Sequence, residues 1–519
     1  MKLRYSILAA FAALTMTACS DFLEPDSESE FVPEDAVSLN ELLLGEAYMR
    51  NDMKGFNVFL GLLEDDIEAS SYQTPNEGFD GNLYLAPYTW QPDMYEMMEE
   101  AGAGQINIYE KYYELILGAN AVIDYIPDVN DTQDNINKVK AQAYALRGFY
   151  YFNLVNIFGQ PYNADPHALG VPLKLNSGIE ESNDYLKRKS VEEVYNQILS
   201  DLHTAEAAYM ALPKSEQWSD NFRTSLPMVQ LMLSRTYLYM ENWSKAAEYA
   251  KKVMDDSRFR LVDLNDVAYL RTDDEGNEVR NYVVYPTYSS SETIWPYGNV
   301  EDMFEWTYRG TNNVNTTTGN KMHAYFQASE ELIGTYVDWD LRLLYYINYI
   351  ETSDGEEMPM AFSKIYTGTK YQLPQNATGV FGRCLRLSEA YLNFAEAKAM
   401  MGGENINEAI DALNTLREKR FDPEDFEEES LMTQEELIEF VRDERRRELC
   451  FEGHRWFDLR RWGMPSFTHK WHIDETTVHT YRLEEGDLLY TVPIPDEALE
   501  MNSKLEQNKL PGKRTPYIE

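Results

Sequence analysis

Aromatic and amide side chains are concentrated in two turn-rich stretches of this 519-residue chain. Flat rings can stack on the C–H face of a sugar, while amides and hydroxyls can exchange hydrogen bonds with its hydroxyl groups. We therefore predict a ligand platform. The alternative is core packing, because Trp and Tyr are commonly mostly buried. The predicted ligand residues are Tyr72, Tyr84, Trp90, Trp306, Tyr308, Asn312, Asn313 and Tyr325.

Carboxylates are so common that a pair of them is weak evidence for catalysis. The run Glu64-Asp65-Asp66 could place Asp65 opposite a second acid across a glycosidic bond, as in a glycoside hydrolase. A charge run at the end of a helix is more often a solvated face. The motifs GxSxG, HExxH and GxxxxGK[ST] are absent from the sequence. We predict that the protein binds without catalysis, and the surface hydrolase remains the rival.

Histidines and cysteines offer little for metal or thiol chemistry. His469 and His472 are close in sequence but have no nearby Cys, so we expect a surface strand or loop there. Cys384 and Cys450 are far apart and form no CxxC pair, which favours buried free thiols. The alternative is a single disulfide bridge between them in an oxidising compartment. We expect neither a metal nor a cofactor.

The charge balance excludes one class of partner. The chain has 88 acidic and 46 basic side chains and a formal charge of −42. Nucleic-acid binding needs clustered Lys and Arg, whereas this chain repels polyanions. We therefore expect no nucleic-acid partner.

The first residues predict export and anchoring. Lys2 and Arg4 precede an apolar run that is too short to cross a bilayer but suits a signal peptide. The run ends in Met16-Thr17-Ala18-Cys19, which resembles a bacterial lipobox. We predict a signal peptide over residues 1–18, lipidation of Cys19 and an acidic tether over 19–36. The alternative is an ordinary secretory signal with an incidental Cys.

Behind these candidate residues, the body of the chain has the periodicity of paired helices. Two small residues, Ser234 and Ala246, lie twelve positions apart on either side of a break in the helical pattern. Ala397 and Ala409 repeat this arrangement. This offset is typical of antiparallel, tetratricopeptide-like repeats. We predict a mainly α, tetratricopeptide-repeat-like α-solenoid with irregular loop and short-strand inserts. Its two regions are predicted over residues 37–260 and 261–519.

Residues 261–380 interrupt the helical pattern. Short strands are predicted at 282–285, 293–295 and 364–366, and loops at 312–313 and 315–320. Long irregular inserts on a rigid frame commonly carry binding groups.

Several segments together resemble the SusD/RagB family of Bacteroidetes outer-membrane lipoproteins. The similar segments are Cys19-Ser20-Asp21-Phe22-Leu23, residues 143–155 with Phe158-Gly159, Gly170-Val171-Pro172-Leu173, residues 387–397, residues 444–462 and Val492-Pro493-Ile494-Pro495. The resemblance implies a non-catalytic, lipid-anchored protein at the cell surface, paired with a SusC-like TonB-dependent outer-membrane transporter. Its implied ligands are glycans or, in the RagB branch, peptides. The resemblance also implies that the 444–462 motif is a structural junction held by charged pairs.

Overall fold

The computed structural model describes most of the chain. The described residues are 32–49, 58–70, 82–102, 107–178, 186–219, 221–268, 270–272, 278–280, 285–299, 326–351, 357–360, 381–430, 432–473 and 476–517. Residues 1–18, Cys19 and most of the predicted tether lie outside them.

Helices dominate the described residues and confirm the mainly α prediction. They are α1 Ala36–Glu46, α2 Asn82–Tyr88, α3 Met94–Glu100, α4 Ile108–Tyr125, α5 Gln133–Phe158, α6 Val191–Met210, α7 Leu226–Tyr239, α8 Trp243–Met254, α9 Glu330–Ile333, α10 Arg342–Tyr345, α11 Leu387–Met401, α12 Asn405–Arg417, α13 Gln434–Leu449, α14 Arg455–Arg461 and α15 Asp496–Met501. Several begin at a side-chain cap that satisfies an otherwise unpaired N–H. Asp35, Ser190 and Thr433 each form a reciprocal capping box.

Both predicted helical hairpins are present. Helix α7 turns into α8, and α11 turns into α12. The small residues expected at the crossings are fully buried, and the Ser234 hydroxyl donates to the Ala246 carbonyl at 2.9 Å. A small side chain at each crossing lets the two backbones approach closely, which is why the twelve-residue offset recurs.

The strands are short and form small sheets between the helices. They are β1 Ile67–Ala69, β2 Leu169–Pro172, β3 Arg188–Ser190, β4 Leu270–Thr272, β5 Glu278–Arg280, β6 Thr293–Tyr297, β7 Phe326–Ala328, β8 Asn348–Glu351, β9 Glu357–Met360, β10 Arg383–Arg386, β11 Phe467–His472 and β12 Val478–Leu483. The largest sheet has the order β1-β7-β9-β8, and all its pairs are antiparallel. The pairs β2–β3, β4–β5, β6–β10 and β11–β12 form separate two-stranded sheets.

The predicted strand at 293–295 is confirmed within β6. Tyr285, the last residue of the predicted 282–285 strand, is described outside any strand. Residues 282–284 and 364–366 and the loops at 312–320 lie outside the described part.

Residues from both predicted regions share one hydrophobic core. The packing of α11 against α8 is one contact that joins the two regions. The boundary near residue 260 stays a prediction. Cys384 and Cys450 are buried and are not joined by a disulfide, as predicted. In the residues that the structure describes, no helix has both the length and the apolarity needed to cross a membrane.

Candidate functional site

The candidate site lies at one end of the four-stranded sheet, where β1 ends and β7 begins. We call this end of the strands the candidate edge. In the antiparallel β1–β7 pair, Ala69 lies opposite Phe326. The chain leaving β1 and the chain entering β7 therefore meet at the same edge. Met360, the last residue of β9, pairs with Gln327, so the chain leaving β9 starts beside that edge too.

The described residues that adjoin three segments, 71–81, 300–325 and 361–380, meet at this edge. The first two contain six of the eight predicted ligand residues. Those six are Tyr72, Trp306, Tyr308, Asn312, Asn313 and Tyr325, and they lie outside the described residues. Their ligand role remains a prediction, and the sheet brings one described end of each segment together.

Trp90 has a different role from the one predicted. Its side chain is completely buried, with its ring stacked on His469 at 4.2 Å between centroids. The indole N–H donates to the Leu63 carbonyl at 3.0 Å, and Phe467 packs edge-on at 5.2 Å. The expectation that Trp90 offers a face to a ligand is therefore wrong, because packing covers the ring.

The predicted ligand role of Tyr84 is wrong for the same reason, because its ring is also covered by packing. It is 1% exposed, and its ring packs edge-on against Phe326 at 5.9 Å. Tyr88, four residues later, is also buried and packs against the same phenylalanine at 5.1 Å. These rings form the layer beneath the start of β7, so they support the candidate edge from below.

His469 lies at the centre of this aromatic layer. The sequence suggested a surface strand or loop, but the side chain is buried between Tyr88 and Trp90. Its ring nitrogens contact the carbonyl oxygens of Tyr88, at 2.6 Å, and Glu64, at 3.1 Å. Burial lowers the pKa of His469 to about 4. Within the described residues, no group of three or more His, Cys, Asp or Glu could hold a metal ion.

The acidic run before β1 is buried, which contradicts the expectation of a solvated face. Glu64, Asp65 and Asp66 are 1%, 8% and 0% exposed. Arg455 donates to both carboxylate oxygens of Asp65 at 2.7 Å, and Arg446 donates to Asp66 at 2.7 Å. Because two donors of one guanidinium occupy the Asp65 carboxylate, it is poorly placed to flank a glycosidic bond.

The pKa values of the neighbouring acids Asp65 and Glu64 are shifted in opposite directions. Burial alone would raise the pKa of Asp65, but the charges of Arg446 and Arg455 outweigh it and hold the pKa below its ordinary value. The pKa of Glu64 is raised well above its ordinary value, first by burial and then by the charges of Asp66 and Asp65. The cluster is thus an internal ion-pair network.

The 444–462 motif is structural, as predicted. Arg445 donates to Asp458 at 2.8 Å and to the Asn393 side chain at 2.8 Å. Arg461 pairs with Glu396 and, at 2.8 Å, with Asp458. These buried contacts tie α13 and α14 to α11.

A second buried network centres on Glu448 of α13. Its carboxylate pairs with Arg342, Arg386 and Arg420 at 3.2, 2.7 and 3.0 Å. All four side chains are at most 1% exposed. Arg386 also pairs with Glu292 at 3.0 Å, which joins the end of β10 to the residue before β6. The network therefore fixes the strand from which segment 300–325 departs.

Sequence reasoning missed the three arginines around Glu448. They lie outside the 444–462 motif, and their partners are distant in sequence. No local spacing marks them, so only the tertiary structure brings them together.

Comparison with known proteins decides the family. A family model described as "SusD family" matches residues 269–512, and one described as "Starch-binding associating with outer membrane" matches residues 21–238. The chain belongs to the SusD/RagB family.

Relatives of this SusD/RagB-family chain are distant but similar along most of their length. SusD-like protein P2 of Formosa agariphila is 25% identical over 435 residues, covering 77% of this chain and 79% of the relative. SusD-like protein P25 of the same organism is 20% identical over 553 residues, covering 97% and 98%.

Solved structures share the fold. A SusD superfamily protein from Bacteroides thetaiotaomicron aligns with a TM-score of 0.67 at 22% identity, covering 92% of this chain and all of that one. A SusD-like carbohydrate binding protein from Bacteroides vulgatus aligns with a TM-score of 0.64 at 20% identity, covering 92% and 99%.

Proposed function

We propose that this chain is a non-catalytic, cell-surface lipoprotein that captures oligosaccharides and delivers them to a SusC-like TonB-dependent outer-membrane transporter. The observation that carries the proposal is the match of residues 21–238 to a family model described as starch-binding and associated with the outer membrane. The lipobox-like sequence ending at Cys19 supports the lipid anchor. The alternative cargo is a peptide, as in the RagB branch.

The proposed ligand residues lie in the two segments that end at the candidate edge. They are Tyr72, Trp306, Tyr308, Asn312, Asn313 and Tyr325. Rings would stack on a sugar face, and the two Asn side chains would bond its hydroxyls. Tyr84 and Trp90 support this site by packing beneath it.

The test is glycan binding by Tyr72→Ala and Trp306→Ala, measured by calorimetry with a panel that includes starch oligosaccharides. Losing a stacking ring at the centre of a site commonly costs more than 1 kcal/mol, so affinity should fall about tenfold. Tyr517→Ala is the matched control, because Tyr517 is 58% exposed and outside both segments. Unchanged affinity in both variants would remove these rings from the site.

Catalysis and cargo are tested separately. Incubating the protein with glycans and counting new reducing ends should give no turnover, whereas a surface hydrolase would release them. Replacing the glycans by a peptide library tests the RagB-like alternative. Binding of peptides with no binding of glycans would assign the protein to that branch.

The transporter partner is tested in the native membrane. Mild detergent extraction followed by purification of a tagged chain should recover a TonB-dependent transporter in near-equal amount. Recovery of the lipoprotein alone, under conditions that preserve other outer-membrane complexes, would contradict delivery to such a partner.

A further inference from the structure

An exposed tryptophan, Trp339, lies outside the proposed ligand segments. Trp339 is 45% exposed and its neighbour Val337 is 42% exposed. Large apolar side chains that remain in water give up the free energy of burial, about 25 cal/mol for each Å² left exposed. An indole presented in this way is typical of an anchor for a binding partner.

The backbone that carries Trp339 is firmly held on both sides. On one side, the Tyr336 hydroxyl donates to the Arg447 carbonyl at 2.8 Å. On the other, Asp340 is buried, pairs with Arg342 at 2.7 Å and forms a β-bridge with Phe421. Because the chain is already ordered, a partner that contacts Trp339 pays little to order this backbone.

An acidic loop runs beside the tryptophan. The Asp422 N–H donates to the Trp339 carbonyl at 3.3 Å, which places the start of the loop against this residue. Over the next six residues the loop adds four more acids, all exposed. The five carboxylates are Asp422, Glu424, Asp425, Glu427 and Glu428. Among the residues described by the structure, none of the five has an ion-pair partner within 4.0 Å.

We propose that Val337, Trp339 and the 422–428 loop form a docking surface for a protein segment that carries Lys or Arg beside an apolar side chain. We call it the Trp339 surface. The apolar side chain would cover the indole, and the basic side chains would neutralise the loop. A neutral glycan would use the ring but gain nothing from the unneutralised charge. The inference is independent of the proposed glycan site.

The probe is a labelled, blocked hexapeptide in which Lys and Arg alternate with Leu, titrated with the full mature chain by fluorescence polarisation. Trp339→Ala should weaken binding at least fivefold. The triple variant Glu424→Gln, Glu427→Gln, Glu428→Gln should weaken it as much, and raising the salt from about 30 to about 300 mM should weaken it further.

Matched controls separate a local surface from the general charge of the protein. Glu96→Gln, Glu99→Gln, Glu100→Gln removes three exposed acids from α3 and changes the net charge equally. Met210→Ala removes an apolar side chain that is 62% exposed on α6. Each control should change the affinity less than twofold.

Three outcomes would overturn the proposal. The first is equal weakening by the two triple variants, because attraction would then reflect net charge alone. The second is unchanged affinity in Trp339→Ala with native circular dichroism. The third is Trp339-dependent binding of a neutral starch oligosaccharide without binding of the peptide, which would make the surface a glycan site.

Discussion

Trp90 shows at the residue scale how burial changes the role of a side chain. The indole fills a space between β11 and the Leu63 carbonyl, with no exposed surface. Its removal would leave a cavity and expose the buried His469 ring to it. A side chain that looked like a ligand platform in the sequence is therefore part of the support for that platform.

We expect Trp90→Ala to lower the free energy of unfolding by about 3 to 5 kcal/mol, the usual cost of truncating a buried aromatic side chain. The measurement is urea unfolding followed by circular dichroism. The exposed control Tyr517→Ala should stay within about 0.5 kcal/mol of the parent. A Trp90→Ala protein that keeps its stability but loses glycan binding would restore Trp90 to the ligand site.

The second prediction concerns Glu444 and the dependence of protein stability on pH. Burial alone would raise the pKa of Glu444, but Arg342 and Arg447 outweigh it and lower the pKa to about 2. A carboxyl group with a lowered folded-state pKa stabilises the protein above its unfolded-state pKa, and this stabilisation is lost as pH falls. Glu444→Gln should therefore be less stable than the parent at pH 7, by about 3 kcal/mol, because Arg342 loses a buried partner.

The difference in unfolding free energy between the parent and Glu444→Gln should shrink as pH falls from about 4.5 to about 2. Chemical unfolding at several pH values measures it. Glu439→Gln is the control, because Glu439 lies on the same helix in an exposed pair with Arg442. A difference that stays constant with pH would show that the Glu444 charge contributes nothing to stability.

At the scale of elements, close helix packing depends on residues without side chains. Gly118 of α4 faces the C-terminal end of α1, where a Cβ atom would lie 2.2 Å from the Glu46 carbonyl oxygen. A backbone carbonyl cannot rotate away as a side chain can. Gly45 of α1 offers a contrast, since a Cβ there meets nothing within 4 Å.

We expect Gly118→Ala to lower the free energy of unfolding by about 1 to 3 kcal/mol through overpacking. Gly45→Ala should raise it by about 0.5 to 1 kcal/mol, because Ala loses less backbone entropy in a helix. Parallel urea unfolding curves measure both. If both variants raised the free energy of unfolding, helix propensity and not the α1–α4 contact would decide the effect.

At the scale of the whole molecule, the net charge and the proposed lipid anchor have opposite effects on membrane attachment. A formal charge of −42 repels anionic lipid headgroups, so surface attraction cannot hold the protein at a membrane. Acyl chains, each contributing about 0.8 kcal/mol per buried CH₂, can supply the attachment. The proposed lipidation of Cys19 is therefore the only anchor that the proposal invokes.

We expect Cys19→Ala to abolish lipid labelling and to shift the protein from the outer-membrane fraction to the soluble fraction or to an uncleaved precursor. Metabolic labelling with a palmitate analogue and cell fractionation measure these changes. Ser20→Ala, which keeps the cysteine, should behave like the parent. Persistence of labelled, membrane-bound Cys19→Ala protein would contradict the anchor.

The local pattern of the sequence was enough for the helical hairpins. Small residues twelve apart at Ser234 and Ala246, and at Ala397 and Ala409, reflect a contact between neighbouring helices of one hairpin. Because such contacts join residues close along the chain, spacing alone predicts them. The order of the SusD/RagB-like segments then pointed to the family.

Contacts between distant segments could not be predicted in this way. Asp65 meets Arg455 across 390 positions, and Trp90 meets His469 across nearly as many. Whether a carboxylate or a ring is buried depends on those partners, because a charge or an indole is stable inside only when a remote group pairs with it or covers it. The spacing of small residues thus indicated the helical class of the chain, and its composition determined its negative charge. The tertiary structure alone decided which acids and rings are buried and which sheet edge the proposed ligand segments share.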